Sequence, residues 1–393
     1  MSVKAILLEA DAASADRIEL YNNNKLKLGI FGSNCSSGRA ATRVPERWSG
    51  GWEDNLALAQ LADDAGIDFM LPIGRWRGYG GETNFEGSTF ETITWATGLL
   101  AQTKRLNVFG TVHVPLFGPI LAAKQMVTAD HVGRGRFGLN VVCGWNQDEF
   151  AMFGVSQRAH DERYAYGRAW LDIVKNVWSS TREFDVSNEF FDMKGVIGDP
   201  KPYGASRPVI MNAGSSPVGR EFGVVNCDLI FTPLSDLEAG AQLVAEAEAR
   251  AKELGKSVRV ACNGFVVCRP TRREAEDYLQ YYAQDNADWE AVDKLMRLNG
   301  SYSKSYDTAH FESFRNRWAA GHGGYPLVGS PDDVADGLAK IHEAGYYGFC
   351  FSFVNYLAEL PYFRDEVLPR LVARGTVPLR RESSVLTRKL LDN

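Results

Sequence analysis

The stretch Leu106-Asn107-Val108-Phe109-Gly110-Thr111-Val112 is followed by Ile120–His131 and then by Arg136-Phe137-Gly138-Leu139-Asn140-Val141-Val142. The two outer runs are apolar and strand-length, and the segment between them has helix length. Two strands joined by a segment of that size lie parallel, because a parallel pair needs a long crossover. The same unit repeats in both directions. Upstream, Leu26–Phe31 and Phe69–Leu71 read as strands. They alternate with helices over Asn55–Ala65, closed by Gly66, and over Ser88–Thr103, opened by the capping box Ser88-Thr89-Phe90-Glu91. Downstream come a helix at Glu162–Trp178, a strand at Val209–Asn212, a helix at Pro217–Val225 and a strand at Leu229–Phe231. A helix at Leu237–Leu254 and a strand at Val258–Val267 follow. The series closes with a helix at Pro331–Ala344 behind the N-cap Ser330, a strand at Gly348–Phe353 and a helix at Pro361–Ala373. Eight such units predict an α/β fold, a (β/α)8 TIM barrel with insertions. Neither a dinucleotide glycine fingerprint nor a P-loop follows any strand, which disfavours the open nucleotide-binding sheets.

Two segments do not fit the repeat. Glu183–Lys194 alternates polar and aromatic residues around Ser187-Asn188, the pattern of an inserted hairpin. Arg269–Gly329 is rich in Tyr, Asp, Asn and Arg and is expected to rise over the C-terminal face as a lid. The expected organisation is a loosely ordered N-terminal extension (1–24), one barrel domain (25–375) carrying a lid at 270–329, and a C-terminal tail (376–393).

Composition narrows the function. The chain has 393 residues, 45% hydrophobic and 23% charged, with a net charge of −6. That balance gives no basic surface for nucleic acid, and the late run Arg380-Arg381 with Lys389 reads as a solvated tail. No apolar run reaches membrane-spanning length, and the start lacks a signal-peptide pattern, so a cytoplasmic location is expected. Cys35, Cys143, Cys227, Cys262, Cys268 and Cys350 form no CxxC, and the six histidines show no metal-ligand spacing. A protein-bound metal is not expected.

A barrel of this kind works at the C-terminal ends of its strands. Those ends carry Gly74-Arg75-Trp76-Arg77 after the second strand and Thr111-Val112-His113 on the third. Asn140 lies on the fourth, followed by Gly144-Trp145 and Glu149, and Gly214-Ser215-Ser216-Pro217 follows the fifth. The set is polar, aromatic and glycine-rich, without the paired acids of a glycosidase or a Ser-His-Asp arrangement. It suits a planar cofactor better than direct acid–base attack. Ser216 before Pro217 marks a helix start whose free amides form an anion site, to which Arg163 in His160-Asp161-Glu162-Arg163-Tyr164 can donate. The alternative is a plain helix start with no ligand. Thr111 and His113, two apart on a strand, share one face.

Taken in order, these stations resemble the bacterial luciferase-like family of flavin monooxygenases, in the branch of the pyrimidine-ring-opening and dimethyl sulfone monooxygenases. Most of the likeness lies in Gly135-Arg136-Phe137-Gly138-Leu139-Asn140-Val141-Val142-Cys143-Gly144-Trp145, Glu149-Phe150 and His160–Tyr164. The resemblance implies FMN across the barrel mouth, reduced by a separate NAD(P)H-dependent flavin reductase, with O2 as co-substrate. Gly74 and Arg75 would border the ring, Asn140 and Glu149 would contact ring or ribityl atoms, and Arg163, Tyr164, Gly214, Ser215 and Ser216 would hold the phosphate end. Thr111 and Asn140 would frame an oxygen pocket, favouring a nucleophilic flavin peroxide, with His113 and Trp145 shaping the substrate side. Arg75 stands where the ring-opening enzyme has a lysine. The substrate implied is a small heteroaromatic or organosulfur compound, and the assembly a homodimer or homotetramer. Two rival readings keep the fold: hydride transfer with a deazaflavin, and a non-catalytic flavin-binding protein.

Overall fold

A computed structural model describes residues 13–300 and 308–376. Its strands, in chain order, are β1 Lys27–Phe31, β2 Phe69–Leu71, β3 Asn107–His113, β4 Phe137–Val142, β5 Phe184–Ser187 and β6 Asp192–Val196. They continue as β7 Val209–Asn212, β8 Leu229–Pro233, β9 Arg259–Cys268, β10 Tyr325–Gly329 and β11 Gly348–Ser352. Eight of them pair in parallel around a closed ring, β1-β2-β3-β4-β7-β8-β9-β11 and back to β1. The (β/α)8 barrel is thus present, and β5 and β6 form the expected antiparallel hairpin outside it.

The pleat divides each strand between two cores. Phe69, Leu71, Phe109, Met211, Phe231 and Ala261 fill the interior. Leu28, Met70, Val108, Leu139 and Val141 face the surrounding helices. Glycines on neighbouring strands make room for the large interior rings: a Cβ on Gly29 would lie 2.3 Å from Phe69, and one on Gly138 would lie 2.5 Å from Phe109.

Four features differ from the sequence expectation. The second helix runs Thr92–Gln102 with Glu91, not Ser88, as its N-cap; the Glu91 carboxylate accepts from the amides of Ile93 and Thr94. Residues 86–90 are held elsewhere, because Ser36 N donates to Ser88 O and Phe90 N donates to Asn34 O. The extension is tied down over its described part. Its short helix Ala15–Ile18 places Arg17 in a bidentate pair with Asp130 at 2.7 and 3.1 Å, both side chains buried. Lys27, fully buried at the start of β1, donates to the carbonyls of Glu19 and Asn22, so the extension supplies the acceptors a buried ammonium requires.

The insertion contributes the extra strand β10, which pairs with the upper half of β9 beyond the stretch used by β8. Helices Arg272–Gln280, Trp289–Leu298 and Thr308–Gly321 build a second core over the mouth. Tyr282, Leu295 and Trp318 there pack with Tyr79, Phe85 and Phe265. The last helix is broken into Tyr356–Tyr362 and Leu368–Ala373 by a wider turn. The basic run Arg380-Arg381 with Lys389 lies outside the described residues.

Candidate active site

Three groups of side chains meet at the C-terminal end of the ring. The first is built by β3 and β4, where Thr111 and Asn140 are register partners. Asn140 Nδ2 donates to Thr111 Oγ1 at 3.1 Å, and Thr111 Oγ1 donates to Pro72 O at 2.7 Å. The threonine hydroxyl is therefore oriented, and it keeps Asn140 fixed. Asn140 is 4% exposed, and its Oδ1 has no hydrogen-bond partner. A buried amide oxygen left this way costs about 1–3 kcal/mol, so the site is arranged for a group that supplies a donor. Gly74 completes this corner: a Cβ there would stand 3.1 Å from His113 and 3.2 Å from Thr111. His113 is buried one pleat above Thr111, and burial pushes its imidazole down to about 4, so it is neutral at pH 7.

The second group surrounds the start of the helix Pro217–Asn226. Ser216 caps the helix Pro217–Asn226, its Oγ accepting from Gly219 N at 3.1 Å. Tyr164 OH lies 3.5 Å from that same Oγ. A Cβ on Gly214 would stand 2.8 Å from Gly219 Cα, and one on Gly219 would stand 2.5 Å from Tyr164 OH. Only glycine fits at both positions. Arg163 Nη1 donates to Gly144 O at 2.6 Å, while its Nε is buried without a partner. Gly144, Trp145, Arg163, Tyr164, Ser215 and Ser216 line one cavity of about 540 Å3.

The third group joins two expected residues, Arg75 and Glu149, to three that the sequence did not single out, Glu86, His322 and Arg39. Glu86, fully buried in the loop after β2, accepts from Arg75 Nε at 3.1 Å and from His322 Nδ1 at 3.3 Å, with Arg39 Nη1 at 3.6 Å. Arg75 Nη1 donates to Glu149 Oε1 at 3.0 Å, and that oxygen also accepts from the amides of Trp76 and Arg77. Burial opposes the charge on Glu86, but the His322 hydrogen bond and the two guanidinium groups outweigh it and hold the carboxyl at about 2. His322 itself is pushed down to about 4 by burial, so at neutral pH it acts on Glu86 as a hydrogen-bond donor and the arginines supply the charge. The cluster ties the loops after β1, β2 and β4 to the end of the inserted helix Thr308–Gly321. Arg39 and Glu86 were legible only as charges among several in their loops, with Arg43, Glu46 and Arg47 near the first and Arg77, Glu82 and Glu91 near the second.

The structure thus brings Gly74, Thr111, His113 and Asn140 together in one corner, and Trp145, Arg163, Tyr164, Gly214, Ser215 and Ser216 around one cavity. Arg75 and Glu149 are joined to each other instead. The Arg75 guanidinium also sits between the rings of Tyr79 and Trp145, at 4.7 and 5.3 Å. A larger cavity, about 970 Å3, lies at the opposite end of the barrel among Leu20, Tyr21, Lys104 and Arg136. Polar groups there satisfy one another, Arg136 alone donating to Leu100 O, Thr103 O and Oγ1 and Leu106 O. Enzymes of this fold work at the other, C-terminal end.

A buried hydroxyl–amide corner and a glycine-lined helix start occupy the C-terminal mouth of a closed barrel, where enzymes of this fold work. The family model for luciferase-like monooxygenases matches residues 26–348, and the chain belongs to that family. It is 30% identical over 355 residues to an FMNH2-dependent dimethylsulfone monooxygenase of Pseudomonas fluorescens, covering 88% of this chain and 94% of the relative. It is 28% identical over 359 residues to a pyrimidine monooxygenase of Acinetobacter baylyi, covering 90% and 96%. The crystal structure of DmoA from Hyphomicrobium sulfonivorans superposes with a TM-score of 0.81 at 20% identity, over 94% of this chain and 92% of that one, a likeness of fold.

Proposed function

We propose that this chain is the oxygenase of a two-component system: it takes reduced FMN from a separate NAD(P)H-dependent flavin reductase, and with O2 it oxygenates or cleaves a small heteroaromatic or organosulfur compound. The observation that carries this reading is the Thr111–Asn140 pair, with a buried, unpartnered amide oxygen beside the glycine surface of Gly74.

Reduced FMN supplies the electrons that activate oxygen; this chain supplies position, polarity and dryness. The residues present fit that cofactor. Ser216, Tyr164 and the Gly214–Gly219 contact would take the phosphate end, with Arg163 Nε as a donor still to be satisfied. Asn140 Oδ1 would accept from the ring system, while Thr111, whose one hydroxyl hydrogen goes to Pro72 O, would keep Asn140 in place. Misplacing a group positioned in this way by about 1 Å commonly costs about a hundredfold in rate. Arg75 would meet the ring from its brace between Glu86 and Glu149. Neutral His113, together with Trp145, would bound the substrate side without adding charge. The inserted helices exclude water, which protects the activated oxygen from loss as hydrogen peroxide.

No helix among the described residues is long and apolar enough to cross a membrane. We propose a homo-oligomer whose contact includes the helix Pro119–Val132, where Ile120, Leu121 and Val132 are all exposed. The direct test supplies NADH, FMN, a flavin reductase and isotopically labelled O2 with sulfone and heteroaromatic compounds. Labelled oxygen in a product is the expected result. Hydrogen peroxide as sole product from every compound, with FMN bound normally, would refute the proposal.

A further inference from the structure

Arg39 presents a problem that the mechanism above leaves untouched. It lies in the loop after β1, is 6% exposed, and carries a guanidinium group with five N–H donors. Among the described residues none of those donors has a hydrogen-bond acceptor; its one carboxylate contact is Glu86 at 3.6 Å. That carboxylate is already engaged by Arg75 and His322. The contrast with other buried arginines of the same fold is sharp. Arg17 and Arg136 each make three or more hydrogen bonds.

The position of Arg39 shows where the missing acceptor belongs. Its guanidinium stands 4.4 Å over the ring of Phe31, the last residue of β1, and Phe31 meets Phe231 of β8 edge to face at 5.3 Å. Phe231 belongs to the barrel interior. Burial pushes the Cys350 thiol, inside the ring on β11, well up, and the Arg39 guanidinium opposes that rise. The register partner of Cys350 is Asn263 on β9. Asn263 is a second unsatisfied group, since its Oδ1 is buried with no partner. β9 stands four strands from β3 around the ring, so this wall faces the Thr111 corner across the mouth.

We propose that Arg39 is a substrate-binding residue, and that the substrate carries a strongly accepting oxo group (sulfonyl, carbonyl or carboxylate) which docks on Arg39 with an apolar or flat body against Phe31 and Phe231. Asn263 is the second polar contact of the same wall. The inference rests on reading the mouth as the site of oxygenation and adds to it the chemistry that selects the substrate. A guanidinium offers paired parallel donors, which match two geminal oxygens better than an ammonium does. A sulfide or an unsubstituted ring has no such oxygen and leaves those donors to water, so it binds more weakly.

The test is equilibrium binding by calorimetry to the FMN-loaded full chain, using dimethyl sulfone and uracil as probes against dimethyl sulfide and unsubstituted pyrimidine. The wild type is expected to bind at least one oxo-bearing probe tenfold or more tightly than its oxo-free counterpart, about 1.4 kcal/mol. Arg39→Gln is expected to abolish that preference and Arg39→Lys to restore part of it, while FMN affinity, read by quenching of flavin fluorescence, is unchanged in both. Thermal melting of the two variants separates misfolding from lost recognition, because the lysine retains the cation beside Glu86. The proposal is overturned if no oxo probe is preferred by the wild type, or if Arg39→Gln keeps the preference. Failure of the wild type to bind FMN would instead refute the flavin reading itself, and the probes can then be titrated into the FMN-free chain to judge Arg39 alone.

Discussion

Replacing Glu86 by Gln keeps the shape of the side chain and removes the negative charge on which Arg75, Arg39 and His322 converge. In the wild type two buried guanidinium groups face two buried carboxylates, Glu86 and Glu149; the variant leaves one positive charge uncompensated. Glu86 is held at about 2 against an ordinary value of 4.5, and that difference corresponds to about 3 kcal/mol of folding stability. Breaking one partner of a buried ion pair costs about 3–5 kcal/mol, so the two routes to the magnitude agree. The sign follows from the depressed value. The stabilisation is complete above the unfolded-state value of about 4.5 and is lost as the pH falls toward about 2. Urea unfolding of wild type and Glu86→Gln should therefore differ by about 3 kcal/mol at neutral pH, and by about 1 kcal/mol less near pH 4. A difference under about 1 kcal/mol at neutral pH, or one that grows on acidification, would show that Glu86 does not neutralise the arginines.

Thr111→Val removes the oxygen that holds Asn140 Nδ2, so it should bind FMN normally while product formation drops by about a hundredfold, with hydrogen peroxide release taking its place; peroxide and product assayed in parallel decide this. Gly214→Ala drives a Cβ to 2.8 Å from Gly219 Cα, so FMN affinity should fall by about tenfold or more while riboflavin, which has no phosphate, is affected less. Both are read by flavin fluorescence. Burial holds His113 and His322 at about 4, below the ordinary histidine value, so each lowers stability as the pH falls from about 6.5 toward 4. His113→Gln should flatten the fall in melting temperature over that window, and an unchanged slope would show that the imidazole is hydrated.

The amino-acid sequence determined the barrel and half of its site. Short apolar runs alternating with amphipathic segments can bury themselves in few ways, and eight of them close. The Ser216-Pro217 helix start and the Thr111/Asn140 strand positions were legible because each rests on local rules: a capping residue, a proline, a period of two. The start of the second helix was misplaced for the same reason, since Ser88 satisfies the local rule and Ser36 overrides it from another loop. Contacts between distant loops have no local signature. Glu86 and His322 are 236 positions apart, and Arg39 gives no sign in the sequence that its donors are left without acceptors. Whether a charge is solvated or buried depends on what packs over it, and here that cover is the inserted helices and the aromatic core they carry. Tertiary structure alone decided that the arginine braced by two carboxylates is Arg75, and that the one left with donors to spare is Arg39.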